Sequence, residues 1–175
     1  IGYYLLSLLK FIIRKNLLIK KNILVYLFVL YSFYMIIWIA SYPKSGNTWV
    51  RSFINSLLFT KDGSESLKTI KNIYQFPTRS QFENFIDNLD NFEKLSENWL
   101  KVQKKINSDG KIRIFKTHHV LCNIKGNSFT DLKNTLGVIY VVRDPRNIIT
   151  SIVHHFSKEN YYEAKEFMFE EKNII

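Results

Sequence analysis

Between Ser41 and Trp49 the chain reads SYPKSGNTW, and the residue types in that stretch suit the grip of an anion. A glycine lets the backbone approach a ligand closely, so Gly46 marks the point of nearest contact. Lys44 supplies a full positive charge, and Ser45 and Thr48 supply hydroxyl donors. If a helix begins after Gly46, its first amides have no partner inside the helix and point at whatever lies in front of them. Pro43 stiffens the entry to the loop. The stretch is not the usual nucleoside triphosphate loop, G-x-x-x-x-G-K-S/T. Here Lys44 precedes the only glycine, and the later apolar run GVIYVV ends in Arg143 where a metal-holding aspartate would be expected. An ordinary strand–helix connection is the plain alternative.

The elements around the loop must hold it in place. Met35–Ala40 (MIIWIA) is a short continuous apolar run, the pattern of a buried parallel strand. Thr48–Phe59 places Trp49, Val50, Phe53, Ile54, Leu57 and Leu58 at helical spacing, with Arg51, Ser52 and Asn55 opposite. Ser80–Leu89 and Asn91–Ile106 read as helices, the first with an apolar stripe of Phe82, Phe85, Ile86 and Leu89. Lys111–Lys116 and Gly137–Val142 read as strands, with Thr117–Thr130 as a loop after the first. Asp144 followed by Pro145 opens a helix over Ile148–Phe156, and Tyr161–Glu171 forms another. Strands alternating with helices predict an α/β fold, a P-loop-like parallel sheet flanked by helices.

Three separated motifs then fall in one order. YPKSGNTW resembles the 5′-phosphosulfate loop of the sulfotransferase family, usually Y-P-K-S-G-T-T-W, with Asn47 at the place of the common threonine. IFKTHHV supplies the K-T-H of the family in Lys116, Thr117 and His118. VVRDPRNIITS supplies the arginine at a strand end and the serine eight residues later, Arg143 and Ser151. The resemblance covers about Met35–Phe156, and it implies sulfuryl transfer from 3′-phosphoadenosine 5′-phosphosulfate (PAPS) to a hydroxyl or amine, with no metal. It further implies donor binding by Lys44, the amides of Ser45, Gly46, Asn47, Thr48 and Trp49, and by Arg143 and Ser151 at the 3′-phosphate. Trp49 would pack on the adenine side. His118 would be the general base, and Lys44 and Lys116 would act at the transferring group. A fourth family motif, R-K-G-x-x-G, is absent, so residues 35–175 resemble the N-terminal portion of the domain and lack its C-terminal part.

Each assignment has a structural competitor: an ion pair of Arg143 with Asp144, a bond from Ser151 to its own helical turn, and His119 in place of His118. A degenerate phosphonucleotide-binding module without turnover is the alternative function. His118-His119 with His154-His155 does not make a zinc site, because adjacent residues on a helix do not share a face. The acceptor is not legible; residues 60–110 and 117–130 would shape its site, with Phe76-Pro77 at the border.

Composition sets the outer bounds. The chain has 175 residues, of which 46% are apolar, enough for one domain with a real core. Its net charge of +10 is uneven. Residues 1–34 hold five basic residues and no acid, leaving 20 basic and 15 acidic residues, a net of +5, for the rest. That excess suits an anionic ligand and lacks the dense basic stripe of a nucleic-acid binder. One cysteine, Cys122, permits no intrachain disulfide and fits the cytoplasm. Ile23–Ala40 carries no charge over 18 residues, the length of a membrane span. Its last six residues also read as the strand before the loop, and one segment cannot be both. Two readings of residues 1–34 stay open: a membrane anchor, or sequence translated upstream of a start at Met35.

Overall fold

A computed structural model of the chain describes residues 35–60, 63, 70 and 72–170. Most of the apolar run at residues 23–34 therefore lies outside the described residues. Its end does not: Ile36–Ser41 is strand β1, whose Ile36 and Ile39 are wholly buried. The strand reading thus displaces a membrane helix reaching Ala40. Among the described residues no helix is long and apolar enough to cross a membrane.

After β1 come helix α1 (Asn47–Phe59), strand β2 (Tyr74–Gln75), helix α2 (Arg79–Phe82), helix α3 (Phe92–Asn107) and strand β3 (Arg113–Thr117). A hairpin of β4 (Asn123–Ile124) and β5 (Asn127–Ser128) follows, then strand β6 (Thr135–Val141), helix α4 (Pro145–His155) and helix α5 (Tyr161–Phe169). The sheet order is β2-β3-β1-β6, and every pair is parallel. The predicted α/β fold with a parallel sheet and flanking helices is the one observed. Ala40 stands opposite Thr117 on one side and Tyr140 on the other. The three strands therefore end at one edge, where open parallel sheets place their ligands.

Burial explains why β1 is central. On one face Trp38 packs against Phe76, Phe129 and Phe115, with ring centroids 5.6, 5.5 and 6.1 Å away. Its indole nitrogen donates to Thr135 Oγ1 at 2.8 Å, so the one polar atom of the ring is satisfied. Phe76, expected at the border of an acceptor site, is instead fully buried in this cluster. On the other face Ile39, Ile114 and Ile73 pack beneath Val50 and Ile54 of α1. The predicted apolar stripe of α1 splits here. Val50 and Ile54 reach the sheet, whereas Trp49, Phe53 and Leu57, one residue earlier in each turn, are 72%, 68% and 67% exposed.

Two local expectations change. Ser80–Leu89 is not one helix. Thr78 and Gln81 close a capping box at the start of α2, but the helix ends at Phe82, whose carbonyl takes the Phe85 amide at 2.8 Å in a turn. Phe82, Phe85, Ile86 and Leu89 still reach the aromatic cluster. The 117–130 loop contains the β4–β5 hairpin, turned by Lys125 and Gly126 at φ +50° and +89°, the positive pair that a type I′ turn requires. The start of α4 is as expected: Asp144 accepts from the Arg146 amide at 2.9 Å, with Pro145 at the first helical position.

Candidate active site

Two cavities open at the C-terminal edge of the sheet, and Pro43 and His118 belong to the walls of both. The polar one has a volume of about 490 Å³. Lys44, Gly46, Asn47, Thr48 and Trp49 line it from the loop and the first turn of α1. Lys116 and His118 come from the end of β3, and Arg143 and Ser151 from the end of β6 and from α4. The motifs legible in the sequence thus converge, although about 75 residues separate the first from the second. Ser45 does not reach the wall; it is 6% exposed.

The loop owes its shape to two residues with positive φ, Lys44 at +67° and Gly46 at +104°. The amides of Ser45 and Trp49 are used inside the loop, donating to Tyr42 O at 3.3 Å and Gly46 O at 3.0 Å. Those of Gly46, Asn47 and Thr48 have no protein acceptor among the described residues. They form the amide cradle, at the positive end of the α1 dipole. The side chain of Asn47 faces inward. Its Nδ2 donates to Ile39 O and Ser41 Oγ, both at 3.0 Å, stapling the first turn of α1 to the end of β1. Its contribution to an anion is therefore its backbone amide. No atom lies within 4 Å of a Cβ added to Gly46, so replacing Gly46 by alanine should cost only the left-handed backbone, about 1–2 kcal/mol in a urea melt.

Arg143 Nη1 donates to the carbonyl of Lys44 at 3.2 Å, bridging the end of β6 to the loop. The expected competitor, Asp144, is taken by Arg146 through a 2.6 Å ion pair. Among the described residues no carboxylate pairs with Arg143, and Ser151 makes no bond to its own turn. Ser151 and the rest of the Arg143 guanidinium are thus free for a ligand. His155 and Phe156 also line this cavity, and the sequence reading missed them. The signal was present, since Ser151 and His155 stand one helical turn apart and share a face.

The two neighbouring histidines have different surroundings. His118 Nδ1 lies 2.8 Å from the Ser41 carbonyl and 3.2 Å from Ser41 Oγ. A carbonyl only accepts, so Nδ1 carries the proton and Nε2 holds the free lone pair. Burial, with smaller contributions from the charges of Lys116 and Arg51, lowers the His118 pKa against the opposing pull of the Ser41 bond. The ring is therefore neutral at physiological pH, with Nε2 able to accept a proton. His119 turns into the aromatic cluster. It stacks on Phe129 at 5.2 Å and 2°, with Trp99 edge-on at 5.7 Å.

Burial and then the neighbouring His118 push the His119 pKa down to about 4 from 6.5. In that window the unfolded chain binds a proton that the folded chain does not, so stability falls as pH drops from 6.5 to about 4. The loss attributable to His119 is about 3 kcal/mol. Urea midpoints at pH 7 and pH 4 should converge in His119→Phe, leaving the smaller share owed to His118.

Lys116 Nζ donates to Gln75 Oε1 at 3.0 Å. Burial, then the charge of Arg51, lowers its pKa.

The second cavity, about 520 Å³, has mostly carbon walls: Trp38 and Ala40 from β1, Val138 and Tyr140 from β6, and Val120, Leu121 and Phe129 from the segment after β3. The 117–130 segment supplies part of this wall, and none of the described residues among 60–110 does.

The family model of the sulfotransferase domain matches residues 36–173, most of the chain and the whole of this site. A search of curated proteins finds no match to this chain. With the loop, the K-T-H segment and the arginine–serine pair gathered at one sheet edge, the chain belongs to the sulfotransferase domain family.

Proposed function

We propose that the chain transfers a sulfuryl group from PAPS to a hydroxyl group carried on an apolar body. The observation that carries this reading is the placement of His118 on the wall shared by a cationic, amide-lined cavity and an apolar one. The donor occupies the first. Its 5′-phosphosulfate sits against Lys44 and the amides of Gly46, Asn47 and Thr48, and its 3′-phosphate between Arg143 and Ser151. Trp49, exposed at the rim, offers a flat surface to the adenine. The acceptor enters from the apolar cavity.

The residues then divide the chemistry. The acceptor oxygen attacks sulfur as its proton passes to His118 Nε2, and the bond from sulfur to the bridging oxygen breaks. The electron pair stays on the 5′-phosphate of adenosine 3′,5′-bisphosphate, where Lys44 and the amide cradle meet the growing charge. Lys116 adds a second ammonium beside the transferring group. Binding and turnover are tested together. Calorimetry with adenosine 3′,5′-bisphosphate reads the donor site, and transfer of label from PAPS to 2-naphthol, run in chelator, reads the reaction. Absence of nucleotide binding refutes the reading. Binding without transfer to any hydroxyl acceptor favours a module that keeps the nucleotide site and has lost turnover.

A further inference from the structure

Lys116 is held in an unusual way for a cation at an anion site. β2 pairs with β3 so that Gln75 stands opposite Lys116, and the ammonium is received by the amide oxygen of Gln75. A neutral amide fixes the direction of an ammonium without cancelling its charge; a carboxylate would do both. Among the described residues no acid pairs with Lys116.

The strand that carries Gln75 is only two residues long and lies at the sheet edge. Its position depends on α1. Arg51 Nη2 donates to the Ile73 carbonyl at 2.6 Å, and one turn later Asn55 Oδ1 accepts from Asn72 Nδ2 at 3.2 Å. Ile73 itself is fully buried. The helix that begins at the anion loop therefore clamps the segment just ahead of Gln75.

Arg51 is a costly choice for that clamp. Its Nε is buried without a partner, and no carboxylate pairs with it among the described residues. Burial lowers its pKa. A half-buried, unneutralised guanidinium beside a half-buried lysine raises the energy of the empty site, and an incoming anion relieves it.

We propose that Arg51 and Gln75 are positioning residues for Lys116, holding its ammonium on the wall of the polar cavity as an uncancelled charge and thereby setting the grip on the donor. This rests on the reading of that cavity as the donor site. Arg51 acts through Ile73 and by its charge, and Gln75 by its amide oxygen; neither lines the cavity itself.

The test compares Gln75→Glu, Gln75→Leu, Arg51→Met and Arg51→Lys with the unsubstituted chain. Calorimetry gives the affinity for adenosine 3′,5′-bisphosphate, and ¹³Cε-labelled lysine reads the titration of Lys116 without any ligand. Gln75→Glu should bind the nucleotide about tenfold more weakly, a larger loss than Gln75→Leu, because the new carboxylate cancels the ammonium. Arg51→Met should lose about tenfold as well, and Arg51→Lys should recover most of it. The Lys116 resonance should titrate at higher pH in Gln75→Glu and in Arg51→Met. Equal affinity in all variants, a greater loss in Gln75→Leu than in Gln75→Glu, or a Lys116 resonance that titrates at one pH throughout overturns the proposal. If the unsubstituted chain binds no nucleotide, the donor reading fails and the lysine titration alone decides the positioning. Gln75 is exposed, so its variants keep the test open should Arg51→Met not fold.

Discussion

His118→Ala should lower turnover by about two to four orders of magnitude while adenosine 3′,5′-bisphosphate binds as before. The expectation follows from the tautomer. With Nδ1 committed to the Ser41 carbonyl, Nε2 keeps its lone pair, which in the proposed reaction takes the acceptor proton. His119 also borders the apolar cavity, but burial pushes its pKa down to about 4, which makes it the weaker base. The pH profile adds a second signature. The base must be neutral, and burial lowers its pKa, so the acid limb of the unsubstituted enzyme should lie below 6.5. Activity is then retained above that midpoint and lost as the ring protonates below it. The residual rate of His118→Ala should lack that limb. A variant with near-normal turnover would remove His118 from the mechanism.

Neutralising Lys44 and Arg143 together should abolish most nucleotide binding without unfolding the chain. Each charge-assisted bond to a phosphate contributes about 1.5–3 kcal/mol, so the pair amounts to about two to four orders of magnitude in affinity. Arg143 is exposed, and its one protein bond is to the Lys44 carbonyl, so little of the fold depends on it. The two single variants should each show part of the loss, and Arg143→Ala should weaken binding of a nucleotide that carries the 3′-phosphate far more than one that lacks it. Calorimetry with adenosine 3′,5′-bisphosphate and adenosine 5′-phosphate checks both. Unchanged affinity in the double variant would falsify the assignment of the polar cavity to the donor.

Lys44 and Arg143 also illustrate what could be read before any fold was known. Local chemistry is written in short segments. An apolar run, a glycine loop and a helix specify β1, the cradle and α1 because backbone geometry and unpaired amides depend on near neighbours. Asp144-Pro145 specifies the start of α4 for the same reason. The three motifs carried the family, which the domain match to residues 36–173 bears out.

Tertiary structure decided what depends on residues far apart in the chain. Ser41 and His118 are 77 residues apart, and only the parallel register of β1 with β3 brings the carbonyl to Nδ1 and so fixes which nitrogen keeps a free lone pair. The different settings of His118 and His119 come from Phe129 and Trp99, whose approach to His119 no local pattern announces. Asn47 could be read as a ligand donor until the end of β1 was seen to absorb both protons of its amide. Arg51 looked like the polar face of a helix, and only the position of Ile73 made it a clamp. Residue types and spacing settled which family this chain belongs to; the direction in which each polar group points was settled by packing, because a side chain bonds to whatever the fold sets beside it.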